Sequence, residues 1–310
     1  LTLVGVVLVT LIYVDMVPVN KKYLNEDNFV KESEFYRVFQ PTQADQAIKQ
    51  DRNPNYRVLN LTRDPWNDAF TSYHHKSIGG YHAAKLRRYN DLIKVHLEPE
   101  TKSIIAELSS GKQEALQNVK TVLESSPALR MLNCKYVIYN GAAPPIVNGA
   151  RLGHGWFVRE YEVVERPDDA LYGLGKISVG TKCLIEKADA APVNGLTLNY
   201  DAQAYLNLKE FKPNYLAYET GVTNGSEQLA VFPEVYYGKG WQAYVDGQPV
   251  EHFRVNYVLR GMRIPAGTHK IEFKFEPASY YTGETMALIF SLIVLAGVGG
   301  GVHGLQNEGA

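Results

Sequence analysis

Trp241-Gln242-Ala243-Tyr244-Val245, followed at once by Asp246-Gly247, is the stretch on which the fold turns. Trp241, Ala243 and Val245 share one face at the two-residue period of a half-buried strand. Asp-Gly then tolerates the positive φ that a type I′ hairpin turn requires. Working outward, the same alternation recurs upstream in Leu206 and Leu208, Leu216 and Tyr218, and Leu229 and Val231. Downstream it recurs in Phe253, Val255, Tyr257 and Leu259, and again in Ile271, Phe273 and Phe275, with Pro265-Ala266-Gly267 turning the chain between them. Roughly six or seven short strands without a helical period predict an antiparallel β-sandwich, placed at residues 200–283.

The region before it, residues 20–199, mixes both periods. Pro41-Thr42 opens a short helix to about Gln50, and Tyr56 to Leu61 alternates as a strand. Leu86, Tyr89, Ile93 and Leu97 recur at helical spacing with Arg87, Arg88, Asp91 and Lys94 opposite, which predicts an amphipathic helix. Ser110 and Gln113 have capping-box spacing and predict a helix start there, with Pro127 stopping it. Lys135 to Tyr139 and Trp156 to Val164 read as strands, and Gly173 to Pro192 is the least legible part. The fold class expected is therefore α+β.

Both ends are apolar. Leu1 to Val14 carries no charge and is followed by Asp15, Pro18, Asn20, Lys21 and Lys22, the way a membrane helix meets water. The run is shorter than the ~20 residues a span needs and starts without Met, which fits a helix cut short. A secretory signal would want a basic start and a small-residue cleavage site, and the sequence supplies neither. A second apolar run, Met286 to Val298, lies near the other end. The domain plan is thus a truncated transmembrane helix at 1–19, a mixed domain at 20–199, the sandwich at 200–283, a second transmembrane helix at 284–303 and a tail at 304–310. The long loop between the spans puts orientation beyond the reach of the positive-inside rule.

Lys plus Arg number 32 against 33 Asp plus Glu, a net charge of −1, so no overall field recruits nucleic acid. Cys134 and Cys183 either pair in an oxidising compartment or remain two buried thiols. No Cys or His spacing forms a zinc site.

Several strings then converge: Tyr56 to Leu61 (YRVLNL), Ser77 to Asp91 (SIGGYHAAKLRRYND), Met131 to Ile138 (MLNCKYVI), Gly155 to Val158 (GWFV), Gly240 to Gly247 (GWQAYVDG) and Val258 to Pro265. In order and spacing, over nearly the whole chain, they resemble the C-terminal portion of bacterial YfhO-type integral membrane proteins. Members of that family are similar to GT-C glycosyltransferases, which use polyprenyl-phosphate-linked sugars at the outer side of the cytoplasmic membrane. The resemblance implies a multi-spanning parent that glycosylates an envelope glycan or polymer, with residues 20–283 on the extracytoplasmic side. The catalytic acid of such proteins lies on an early outer loop that this chain does not contain. This region is therefore expected to be non-catalytic, to hold no cofactor, and to shape donor or acceptor recognition. Whether the parent needs a divalent metal is left open. The alternative is a membrane-anchored carbohydrate-binding or scaffolding module without transferase activity. An autonomous hydrolase has no triad, metal motif or nucleophile elbow to support it.

The substrate-binding candidates are Lys76, Gly79, Gly80, Tyr81, Arg88, Tyr237 and Tyr244. Gly79-Gly80-Tyr81 at a helix start would offer amides to a phosphate, with Lys76 and Arg88 adding charge. The plainer reading is a tight turn, with Arg87 pairing Asp91 at i, i+4. Tyr237 and Tyr244 are aromatic faces for a sugar, while Trp241 belongs to the core. His74, His75 and His82 are expected to be hydrogen-bonding loop residues rather than metal ligands, and Asp64 and Asp68 surface acids rather than a catalytic pair.

Overall fold

The computed structural model describes residues 2–307, with side chains from 3 to 297. Helices Thr2–Tyr23 and Ala278–Asn307 flank the globule. Each contains a stretch long and apolar enough to cross a membrane, and neither stretch is buried in the protein. Pro18 removes one rung of the first helix without ending it, so this helix outruns the expected boundary at 19. In the tail, residues 304–307 continue the second helix, and 308–310, like Leu1, lie outside the described residues.

The first sheet joins β1 (Arg57–Asn60) in parallel to β2 (Cys134–Ile138), which pairs antiparallel with β3 (Ile146–Val147). The stretch expected as one strand, Trp156 to Val164, is two. β4 (Trp156–Phe157) and β5 (Glu160–Val164) enter different sheets, because the Val158 amide donates to Leu229 O while the Arg159 amide donates to Thr181 O. β5 pairs in parallel with β6 (Lys182–Glu186), with helix Pro167–Gly173 crossing between them.

The sandwich follows, all antiparallel. Its strands are β7 (Tyr205–Lys212), β8 (Tyr215–Val222), β9 (Gln228–Val235), β10 (Trp241–Val245), β11 (Gln248–Val250), β12 (Phe253–Val255), β13 (Leu259–Ile264) and β14 (Gly267–Phe275). One sheet runs β11-β10-β14-β8-β7 and the other β12-β13-β9-β4. The 241–250 hairpin closes on Asp246 (φ 49°) and Gly247 (φ 80°), as the Asp-Gly pair predicts. β4 comes from before residue 199, so the second sheet crosses the boundary drawn at 199/200. That sheet is covered on both faces. β9 sends Ala230 and Phe232 into the sandwich core with Tyr218 and Phe273, and Leu229 and Val231 into a second core with Leu92, Leu97, Leu129 and Ile185.

The helix-start expectation at Ser110 and Gln113 is corrected. Ser110 Oγ donates back to Glu107 O at the end of helix Glu98–Leu108, and the next helix runs Ala115–Glu124 with no side-chain cap. The Ser hydroxyl found the closer orphan carbonyl. Cys134 and Cys183 are free and buried, and burial pushes the Cys134 thiol up to about 12.

Candidate functional site

Near the foot of the C-terminal helix, three segments enclose a cleft of about 460 Å³. They are the start of helix Arg87–Leu92, the β9–β10 connection with Tyr236, Tyr237 and Lys239, and the β12–β13 corner with Arg254 and Val258. The β9–β10 connection ends at Gly240, with φ 130°. A Cβ there would stand 2.8 Å from the Phe275 ring and 3.0 Å from Pro277, so only glycine lets this loop lie against the helix root. The Glu276 amide donates to Gly240 O at 2.7 Å and fixes that approach.

The β12–β13 corner is held by two consecutive left-handed residues, Asn256 and Tyr257. Asn256 replaces a strand neighbour for β6: its amide donates to Leu184 O and its Oδ1 accepts from the Leu184 amide. Tyr257 then meets Arg88 through its carbonyl and its ring, and its hydroxyl donates to Asp91 Oδ2 at 3.1 Å. Burial pushes that phenol up to about 12, so it stays protonated.

Arg88 grips Glu186 with both terminal nitrogens, Nη2 to Oε2 at 2.8 Å. This bidentate bond raises the guanidinium's pKa and leaves Glu186 almost fully buried. Arg254 reaches Asp189 at 3.0 Å and Glu186 at 4.0 Å, with its guanidinium over the Tyr236 ring. Two of the cleft's cations are thus neutralised and rigid. Arg87 and Lys239, exposed at its rim, make no ion pair among the described residues. The result is a tyrosine-walled cleft with net positive charge. The two acids behind it, Glu186 and Asp189, are both committed to arginines, so the cleft suits binding an anion.

The seven sequence candidates separate. Arg88 and Tyr237 both line the cleft, although Arg88 acts as a wall through its buried partner. The expected Arg87–Asp91 pair does not form: Asp91 accepts from Tyr257, and Arg87 has no ion pair among the described residues. Gly79, Gly80 and Tyr81 precede the helix that starts at Arg87 and do not cap it. Gly79 N donates to Ser77 Oγ and Gly80 N to Pro65 O, so the two amides meant for a phosphate are already used. A Cβ on Gly79 would run into Pro65 O, which accounts for that glycine. Lys76 rests its ammonium on the Phe211 ring and donates to Asn55 Oδ1 at 2.7 Å, and burial lowers it to about 8. Tyr244 is on the outer sandwich face with Lys274 at 4.7 Å over its ring and its hydroxyl on Glu276.

The histidines and acids of the 64–82 loop are engaged locally. His75 bonds Asp45 at 2.9 Å, His74 bonds Lys49, and His82 accepts from the Ala84 amide. Asp64 caps its own loop through the Trp66 and Asn67 amides, and Asp68 accepts from the Phe70 amide. A larger groove of about 700 Å³ lies between helix Ala115–Glu124 and β3, but Lys120 and Glu124 are its only charges. Sequence reading missed Lys239, Arg254, Glu186 and Asp189. Arg254 alternates with Phe253 and Val255, the pattern of an ordinary solvated strand face, and Glu186 gains its meaning only from Arg88.

Compared with known proteins, residues 197–287 match the family described as bacterial membrane protein YfhO. No curated protein and no solved structure matches the chain. The matched residues take in every strand from β7 to β14 and the root of the C-terminal helix, and over that part the chain is similar to YfhO-type bacterial membrane proteins.

Proposed function

We propose that this chain is the outer, non-catalytic part of a cytoplasmic-membrane protein that transfers sugar from a polyprenyl-phosphate carrier to an envelope glycan. On this reading the globule lies on the extracytoplasmic side, and the cleft at the foot of the C-terminal helix receives the phosphate-bearing end of the donor. The carrying observation is the cleft's composition and place. Arg87 and Lys239, without an ion pair among the described residues, stand at the rim of a pocket walled by Tyr236 and Tyr237, beside the C-terminal apolar helix. A lipid phosphate bearing a sugar is an anion with a polar ring at bilayer height, and such a cleft matches it in charge and aromatic surface.

The test is Arg87→Gln combined with Lys239→Gln in the full-length parent. Each lost charge-assisted contact costs about 1.5 kcal/mol or more, so donor use should fall about tenfold per residue. Unchanged glycan modification, with the protein present at its normal level, would remove the cleft from donor recognition. If vesicle-free sugars bound the protein and were displaced by changes at Tyr237 alone, the carbohydrate-binding module would be the better reading.

A further inference from the structure

We propose that the segment from Tyr23 to Phe39 is a lipid-docking surface that lies in the headgroup layer and seats the globule on the bilayer. This segment follows the first apolar helix directly, and it has almost nothing to pack on. Tyr23 is 81% exposed, Phe29 69% and Phe35 52%, and the short helix Glu32–Arg37 buries no residue at all. Leu24, Val30, Tyr36 and Val38 are exposed as well. So many large apolar side chains in so short a stretch are not a surface that water tolerates singly.

The segment is nonetheless ordered against the globule by a run of rings. Phe35 contacts Tyr36 and Phe39, and Phe39 stacks on Phe70 at 5.2 Å and meets Tyr73 at 4.7 Å. From there contacts lead to the root of the other apolar helix. Lys76, just past helix Phe70–His74, sits on Phe211, and Asn214 O accepts from the Phe275 amide. The exposed aromatics and the cleft therefore belong to the membrane-facing end of the molecule.

The occupant is fixed by continuity and by chemistry. The surface begins where a membrane helix ends, and aromatic rings with lysines and arginines between them are the side chains that favour the bilayer interface. Lys21, Lys22, Lys31 and Arg37 make no ion pair among the described residues, while Glu26, Asp27, Glu32 and Glu34 balance them in number. Charge therefore cancels, and burial of rings rather than attraction to anionic lipid supplies the affinity.

The experiment uses the full chain in phosphatidylcholine nanodiscs, with Phe29→Cys and Phe35→Cys labelled in turn by an environment-sensitive fluorophore. The buried native thiols stay unlabelled in the folded protein and report its integrity. Nitroxide carried on the lipid headgroup should quench both probes strongly, and aqueous iodide should quench them little. A probe at Gly149→Cys, in the loop that follows β3 and outside the proposed surface, should show the reverse. Adding phosphatidylglycerol should leave the pattern unchanged. Quenching by iodide alone would overturn the proposal, because the segment would then be in water. Protection from both quenchers would overturn it equally, since a protein partner or a second copy would then cover the rings.

Discussion

Arg88→Gln is the change whose cost separates a wall of the cleft from a free cation. Glu186 is only 5% exposed, whereas Arg88 is 30% exposed, so the acid is the partner that water cannot reach. Removing the arginine strands a buried carboxylate, a change that costs about 3–5 kcal/mol when no other charge is near. Arg254 remains at 4.0 Å and softens the loss, which puts it near the lower end, about 3 kcal/mol. Glu186→Gln is milder, about 1–2 kcal/mol, because the arginine can turn to solvent and the amide oxygen still accepts one bond. Arg87→Gln, with no ion partner, should fall within about 0.5 kcal/mol. Thermal unfolding of the full chain in nanodiscs, followed by near-ultraviolet circular dichroism, reads all three. For a domain of this size Arg88→Gln should lower the midpoint by about 6 °C or more, with Arg87→Gln close to unchanged. If the two arginine variants melted together, the buried pair would not be holding the cleft.

Four further outcomes are expected, three from the geometry and the last from the proposed orientation. Lys76 should titrate near 8, and a dimethyl-lysine carbon resonance that moved only near 10 would mean its ammonium is not tucked on Phe211. Glu100, buried and bonded to the Ala128 and Leu129 amides, is raised to about 7 against an ordinary 4.5. Its proton therefore favours the folded state, fully below pH 4.5, and that stability of about 3 kcal/mol is lost as pH climbs through 7. Glu100→Gln should flatten this slope, and a variant with the parent's pH profile would contradict the assignment. Gly240→Ala should cost several times the ~1 kcal/mol of an ordinary glycine replacement, measured by melting, because its Cβ meets Phe275 at a positive φ. Single cysteines in the 140–149 loop should react with an impermeant thiol reagent on intact cells, and labelling only after permeabilisation would place the globule on the other side.

What was legible in the sequence was local. Asp246-Gly247 fixes its hairpin through two backbone angles, and the alternation around it locates the sandwich strands, because one face of each lies on a core. Lys182–Glu186 escaped notice for the opposite reason: buried along most of its length, it shows no alternation. The cleft was illegible because its pairs are remote. Arg88 finds Glu186 98 positions away, and helical spacing pointed Arg87 to Asp91, which a tyrosine from the β12–β13 corner takes instead. The Gly79-Gly80 turn resembles an anion cradle in sequence, and its amides close the loop on itself, as the tight-turn reading has it.

Only Glu276 and Pro277 separate the end of β14 from the C-terminal helix, and the first of these is tied to Gly240. Such a joint has no slack. The doubly covered β12-β13-β9-β4 sheet likewise leaves no hinge between the sandwich and the helices behind it. Tilting or sliding the terminal helix must therefore swing the whole globule like a lever on a stiff post. Bilayer thickness, acting on one helix, would set the height at which the cleft stands above the membrane.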